Sequence, residues 1–177
     1  MKLLKLWVLS AFFFLGFNAC SSTENVGNGL AESSSVFPSW YQNAEFVGDS
    51  LGYSGFATAI GADSAKAIER AEIQARIHLE KRIAQLTEEV RTELVESGSK
   101  DAENTDFIII LRTAHAKVVE TANSIQSVSR KTDGYYRGFA SVEISKNQLR
   151  SVLEQGFTGH PRYWGTFSSS PSFVKFF

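Results

Sequence analysis

The pattern between Ala65 and Val95 limits most sharply what this chain can fold into. Ile68, Ala75, Leu79, Leu86, Val90 and Leu94 recur at spacings of mostly four and seven, which places them on one stripe of an α-helix. Asp63 or Ser64 supplies the N-cap, and Gly98 stands where a helix ends in the left-handed conformation. Ala65, Ala67 and Ala71 keep the first turns thin, so the helix can lie close against a sheet. The strand for that contact comes just before it, in LGYSGFATAI from Leu51 to Ile60, and Gly61-Ala62-Asp63 breaks it. At 1.5 Å per residue the helix is about 45–50 Å long. That is more than a small domain needs, and it leaves Leu86, Val90 and Leu94 as a candidate interface for a second subunit.

The second half supplies the rest of the sheet. Phe107, Ile110, Leu111, Ala114 and Val118 follow a cap at Asn104 or Thr105 with helical spacing. The apolar run Phe107 to Leu111 also fits a buried strand, since periodicity does not separate the two in so short a run; helix is the preferred reading. Val119 to Thr132 and Tyr135 to Ser145 alternate like strands, joined by Asp133-Gly134, the two-residue type I′ hairpin signal. Taken literally, that turn sets Thr132 opposite Tyr135, Ser127 opposite Ala140, Ile125 opposite Val142 and Asn123 opposite Ile144. Ile125, Ala140, Val142 and Ile144 then share the face that meets the long helix.

The same register faces Arg130 with Arg137. Two like charges so placed cost a few tenths of a kcal/mol unless an anion or acidic partner lies between them. They are a candidate binding pair, or simply two splayed, solvated side chains. Lys146 to Glu154 is a short closing helix, ended by Gly156. The expected fold is α+β: a small three-stranded, mostly antiparallel sheet on one long and two shorter helices, in the order β-α-α-β-β-α. Beyond it, residues 158–177 carry Tyr163, Trp164, Phe167, Phe173, Phe176 and Phe177 with few aliphatics. They read as an aromatic strap over the domain or a partner contact.

Chemistry is harder to find. Lys and Arg number 18 against 19 Asp and Glu, a net charge of −1, which makes no electrostatic case for nucleic acid. Gly48-Asp49-Ser50-Leu51-Gly52 fits both the G-x-S-x-G nucleophile elbow and the signature of GDSL esterases. Its surroundings do not: an elbow needs a helix directly after the serine, and a strand is expected from Gly52. None of His78, His115 and His160 has an Asp three residues before it. His78 and His115 also lack a ligating partner one turn on, so no metal and no cofactor is expected. Glu72, Arg76 and Glu80 form i,i+4 pairs that mark a solvated helix face.

The remaining signal is at the start of the chain. Lys2 and Lys5 precede an apolar run from Leu6 to Phe17, of signal-peptide length and short for a membrane span. Ala19 then stands before Cys20, the single cysteine, and polar Ser21-Ser22-Thr23-Glu24 follows. This resembles a bacterial lipoprotein signal, which implies that residues 1–19 are removed and Cys20 is lipid-modified. Ser21 after the cysteine matches outer-membrane sorting in enteric bacteria. Several acyl chains, at about 0.8 kcal/mol per buried CH₂, hold a protein on a membrane almost permanently. Residues 20–36 form a Gly/Ser-rich tether ended by Phe37-Pro38-Ser39-Trp40-Tyr41, and the domain is expected over 37–157.

Pro38-Ser39-Trp40, the Gly52-Tyr53-Ser54-Gly55-Phe56-Ala57 strand and the alanine-rich helix from Ala65 to Arg76 together resemble the LPP-20 type of bacterial envelope lipoprotein. The resemblance covers about Pro38 to Phe157. It implies a small α+β domain displayed from a membrane, with no catalytic residues to carry over. The expected function is therefore a non-enzymatic, lipid-anchored lipoprotein of the cell envelope, at the outer membrane, which self-associates or binds another envelope component. The alternatives are a monomeric ligand- or peptidoglycan-binding module using Arg130 and Arg137, and a secreted esterase using Ser50.

Overall fold

A computed structural model describes residues 37–177, all within one compact unit that begins at Ser35. The expected signal peptide, Cys20 and the expected tether lie outside the described residues. The chain runs β1 (Phe46–Gly48), β2 (Gly52–Gly61), α1 (Ser64–Glu96), α2 (Lys100–Glu103) and α3 (Thr105–Thr121). It continues through β3 (Asn123–Thr132), β4 (Tyr135–Ser145), α4 (Lys146–Gly156), α5 (Pro161–Ser168) and α6 (Pro171–Phe176). The α+β class and the antiparallel sheet are as expected. Among the described residues the sheet has four strands instead of three, in the order β1-β2-β4-β3, and there are six helices instead of three. The chain opens with two strands, so the expected order β-α-α-β-β-α does not hold. The extra strand, β1, is only three residues long, too short to show an alternation.

Helix α1 starts and stops where its sequence says it should. The Asp63 carboxylate accepts from the Lys66 N–H at 2.8 Å, and Gly98 follows the helix with φ +84°. Its first half lies across β2 and β4. There Ala71, Ala75 and Leu79 share a buried core with Tyr53 and Ala57 of β2 and Ala140, Val142 and Ile144 of β4, and Ala67, also buried, lies over Gly61 and Gly138. The approach is close because glycine lines the sheet where the helix crosses. A Cβ on Gly55 would overlap the Ala75 carbonyl, and one on Gly138 the Ala67 carbonyl. Small residues on both partners thus bring the two backbones together.

The hairpin register holds at Thr132–Tyr135, Arg130–Arg137 and Ser127–Ala140, and then slips. Ser124 faces Val142 and Gln126 faces Ser141, so Ile125 is the extra residue of a β-bulge and is 52% exposed. The sequence reading had put Ile125 in the core, because alternation alone contains no bulge. Ala140, Val142 and Ile144 remain on the helix face, fully buried.

The other face of the sheet carries Phe56 and Phe139, both buried. Tyr41 packs edge-on to both, with ring centroids at 6.2 and 5.2 Å, and Phe37 lies 5.7 Å from Phe139. The Phe37–Tyr41 segment therefore covers part of the outer sheet face.

The second half of α1 belongs to a helical layer. Leu86, Val90 and Leu94 are buried in the same core as Phe107 and Leu111 of α3, Leu149 and Leu153 of α4, and Phe157, Phe167 and Phe173. The aromatic residues after Thr158 form α5 and α6 and close this layer. Phe157 and Phe167 stack at 5.4 Å, and Phe167 meets Phe173 edge-on at 5.2 Å. Polar contacts fix the two helices. Asp101 of α2 takes a bidentate hydrogen bond from Arg162 at 2.6 and 3.0 Å, with a third from Thr166 at 3.1 Å. Glu93 of α1 accepts from the Ser172 N–H at 2.9 Å and the Ser170 hydroxyl at 3.0 Å, at the start of α6.

Hydrogen bonds from Ser172 and then Ser170 hold the Glu93 carboxyl below its ordinary value. An unfolded chain binds that proton more readily than the folded one, so stability rises with pH up to the ordinary glutamate value of about 4.3. Above that value the contribution is complete, and it is lost as pH falls through the depressed folded value. Thermal melts over this acid range should show Glu93→Gln with a flatter pH dependence than the wild type. An unchanged slope would deny Glu93 this role.

Candidate functional site

Ser50 lies in the turn between β1 and β2, and both flanking segments are strands. The Asp49 carboxylate accepts the N–H groups of Leu51 at 2.7 Å and Gly52 at 2.9 Å, which closes the turn. Those two backbone hydrogen bonds, Gly52 first, also hold Asp49 below the usual carboxylate range. The GDSL residues are therefore a hairpin turn with its own internal capping, and the strand-to-helix geometry of an elbow is replaced by strand to strand. His78 sits on α1 with its Nδ1 2.8 Å from the Phe56 carbonyl. His115, on α3, is held below its usual value chiefly by burial. Among the described residues no group of three or more His, Cys, Asp and Glu side chains is placed to hold a metal ion.

Arg130 and Arg137 do face each other across β3 and β4. Alternation puts them on the outer sheet face with Phe139, two residues from Arg137 on β4. Both are half-buried. The Arg137 Nε is buried and has no hydrogen-bond partner among the described residues. Tyr41 lies within the field of Arg137, although burial raises its hydroxyl pKa more than that charge lowers it. The pair is thus a positive spot beside an aromatic cover.

Leu86, Val90 and Leu94 are not available to a second subunit, because this chain's own helices bury them. The excess length of α1 that suggested an interface is taken up by α2, α3, α5 and α6. An open groove of about 860 Å³ runs along the helix nearby, lined by Lys81, Arg82, Gln85, Glu88 and Glu89 among others. All its walls come from α1, so it is a shoulder of that helix and encloses nothing.

Arg76 has a role that sequence spacing did not show. Its Nη1 donates to the carbonyls of Val119 at 2.9 Å and Ala122 at 2.7 Å, capping the end of α3. The pairing pattern Glu72–Arg76–Glu80 had suggested only a solvated face, since a tertiary cap leaves no mark in local spacing. Leu51 and Val174 were also missed as a feature. They are the two most exposed large hydrophobic side chains among the described residues, at 75% and 73%. No described helix is long and apolar enough to cross a membrane. Comparison with protein-family models, with curated proteins and with solved structures finds no match to the chain.

Proposed function

We propose that this protein is a non-enzymatic lipoprotein of the bacterial cell envelope, anchored through acyl chains on Cys20 at the outer membrane. Its domain serves assembly by binding further copies of itself or another envelope component. The observation that carries the reading is the N-terminal order of residues: Lys2 and Lys5, the apolar run from Leu6 to Phe17, then Ala19 and the chain's single cysteine. The domain supports it in one respect. Phe37 and Tyr41 are packed onto the sheet, so the segment after Cys20 ends at a fixed point, as suits a domain displayed from an anchor.

Metabolic labelling with a palmitate analogue tests the anchor directly. The wild-type chain should take up label and partition with membranes, and Cys20→Ser should lose both properties. A Cys20→Ser chain that is still labelled and membrane-bound would exclude this reading.

A further inference from the structure

The outer face of the sheet holds a guanidinium that the described residues leave without an acceptor. Gly138 points at α1, so Arg137 and Phe139 on either side of it point outward. Strand pairing sets Arg137 between Ile60 of β2 and Arg130 of β3, and the next row is Thr58, Phe139 and Val128. Phe37 and Tyr41 pack on Phe139, so Arg137 stands at the rim of that aromatic cover.

Among the described residues the ion pairs belong to His78, Arg82, Arg91 and Arg162. The cation–ring contacts belong to residues other than Arg137 as well. The Arg137 Nε is buried and makes no hydrogen bond, the only side-chain nitrogen or oxygen of the described residues in that position. A charged donor left unmade in a buried place is costly. Arg130 directly across the ladder adds a second positive charge, and like charges so placed destabilise a sheet.

The carboxylates around the site do not answer Arg137. Glu143, on the same face of β4, is six residues along the strand, about 20 Å away. Glu45 lies beside His78 at 3.9 Å. Asp133 is exposed in the hairpin turn, with Lys131 exposed two residues before it. Asp63 caps α1 through the Lys66 N–H, and the acidic residues of α1 are across the sheet.

We propose that Arg137, with Arg130 opposite, binds an oxyanion, a phosphate or carboxylate group. Nε and one Nη of a guanidinium present two parallel N–H donors that match two oxygens of such a group. Arg137 is half-buried with only its Nε covered, so the anion meets the Nη groups at the surface. A turn of the side chain then brings Nε into the second bond. The bound anion satisfies the orphaned donor and separates two like charges. The site does not depend on lipid at Cys20.

The test titrates the full chain, held in an uncharged detergent, with sodium phosphate and separately with sodium acetate, against sodium chloride at equal ionic strength. Nitrogen–proton correlation spectra follow the arginine Nε–H groups. The Arg137 resonance should shift to saturation with at least one of the two anions, and the one bound more tightly names the group. Arg137→Gln should weaken binding about tenfold or more, and Arg130→Gln about threefold. Lys131→Gln removes a neighbouring charge on the other face of β3 and should change binding by less than about twofold. In chloride Arg137→Gln should melt no lower than the parent, because it removes an unpartnered charge; should it fail to fold, the Arg137 shift and Arg130→Gln still decide. No saturable shift with either anion overturns the proposal. So does a loss from Lys131→Gln as large as that from Arg130→Gln, which would mark the binding as diffuse attraction to positive charge.

Discussion

A chain ended after Phe157 should lose the cooperative thermal transition shown by residues 35–177. The sequence suggests such a cut, because the recognisable pattern of strands and helices stops at Gly156. The structure shows what it removes. Phe167 and Phe173 are fully buried, and burying each contributes roughly 1.5–3 kcal/mol. Their loss also uncovers Phe107 and Phe157, which pack against Phe167, and opens the far half of α1 to water. Set against a total stability of about 5–15 kcal/mol for a domain, that is enough to unfold most of it. Circular dichroism should show a broad, early loss of helix, and a hydrophobic dye should bind at room temperature. A sharp transition within a few degrees of the intact domain would mean that α5 and α6 are ornaments. Phe167→Ala gives a graded version of the same experiment, with an expected loss of about 3–5 kcal/mol.

The second large effect is at Gly138. Its added Cβ would meet the carbonyl oxygen and carbon of Ala67, which are helix backbone and cannot swing aside as a side chain can. Gly138→Ala must therefore push α1 off the sheet, disturbing Ala71 and Ala75 along with Ala67. The expected cost is about 3 kcal/mol, or roughly 10 °C in melting temperature for a domain of this size. Gly165→Ala is the matched comparison. Gly165 is in the middle of α5, and a Cβ there meets nothing within 4 Å. That substitution should stabilise by about 0.5–1 kcal/mol, since glycine is a poor helix residue. If the two variants melt alike, close helix–sheet contact is not what the glycines provide.

Local signals were legible, and tertiary ones were not. The caps of α1, the Asp133-Gly134 turn and the part of its register nearest the turn all follow from short-range chemistry, and the structure reproduces them. The register then fails at Ile125, because a bulge depends on how the sheet edge bends around the helix and not on the residue alone. The interface assigned to Leu86, Val90 and Leu94 failed for a related reason. An apolar stripe says that something covers it, without saying whether the cover is another chain or the tail of the same one. Aromatic residues spaced by glycine, serine and proline give no strong helical period, so α5 and α6 are not legible as helices, although reading the tail as an aromatic strap over the domain does point to the cover. Arg76 shows the same limit among charged residues. Its i,i+4 carboxylates are visible in the sequence, whereas the carbonyls of Val119 and Ala122 come to it only through the fold.

The contact between Tyr53 and Phe176 also sets the order in which this protein can be completed. It joins positions 123 residues apart, and Phe173, only three residues before Phe176, is itself core. A chain emerging N-terminus first holds the whole sheet and the whole of α1 before it owns the residues that seal them. Until the last turn of helix is free, the far half of α1 has an open apolar flank, and contacts of such long range form late. The core around the far half of α1 is therefore incomplete until Phe173 and Phe176 are in place.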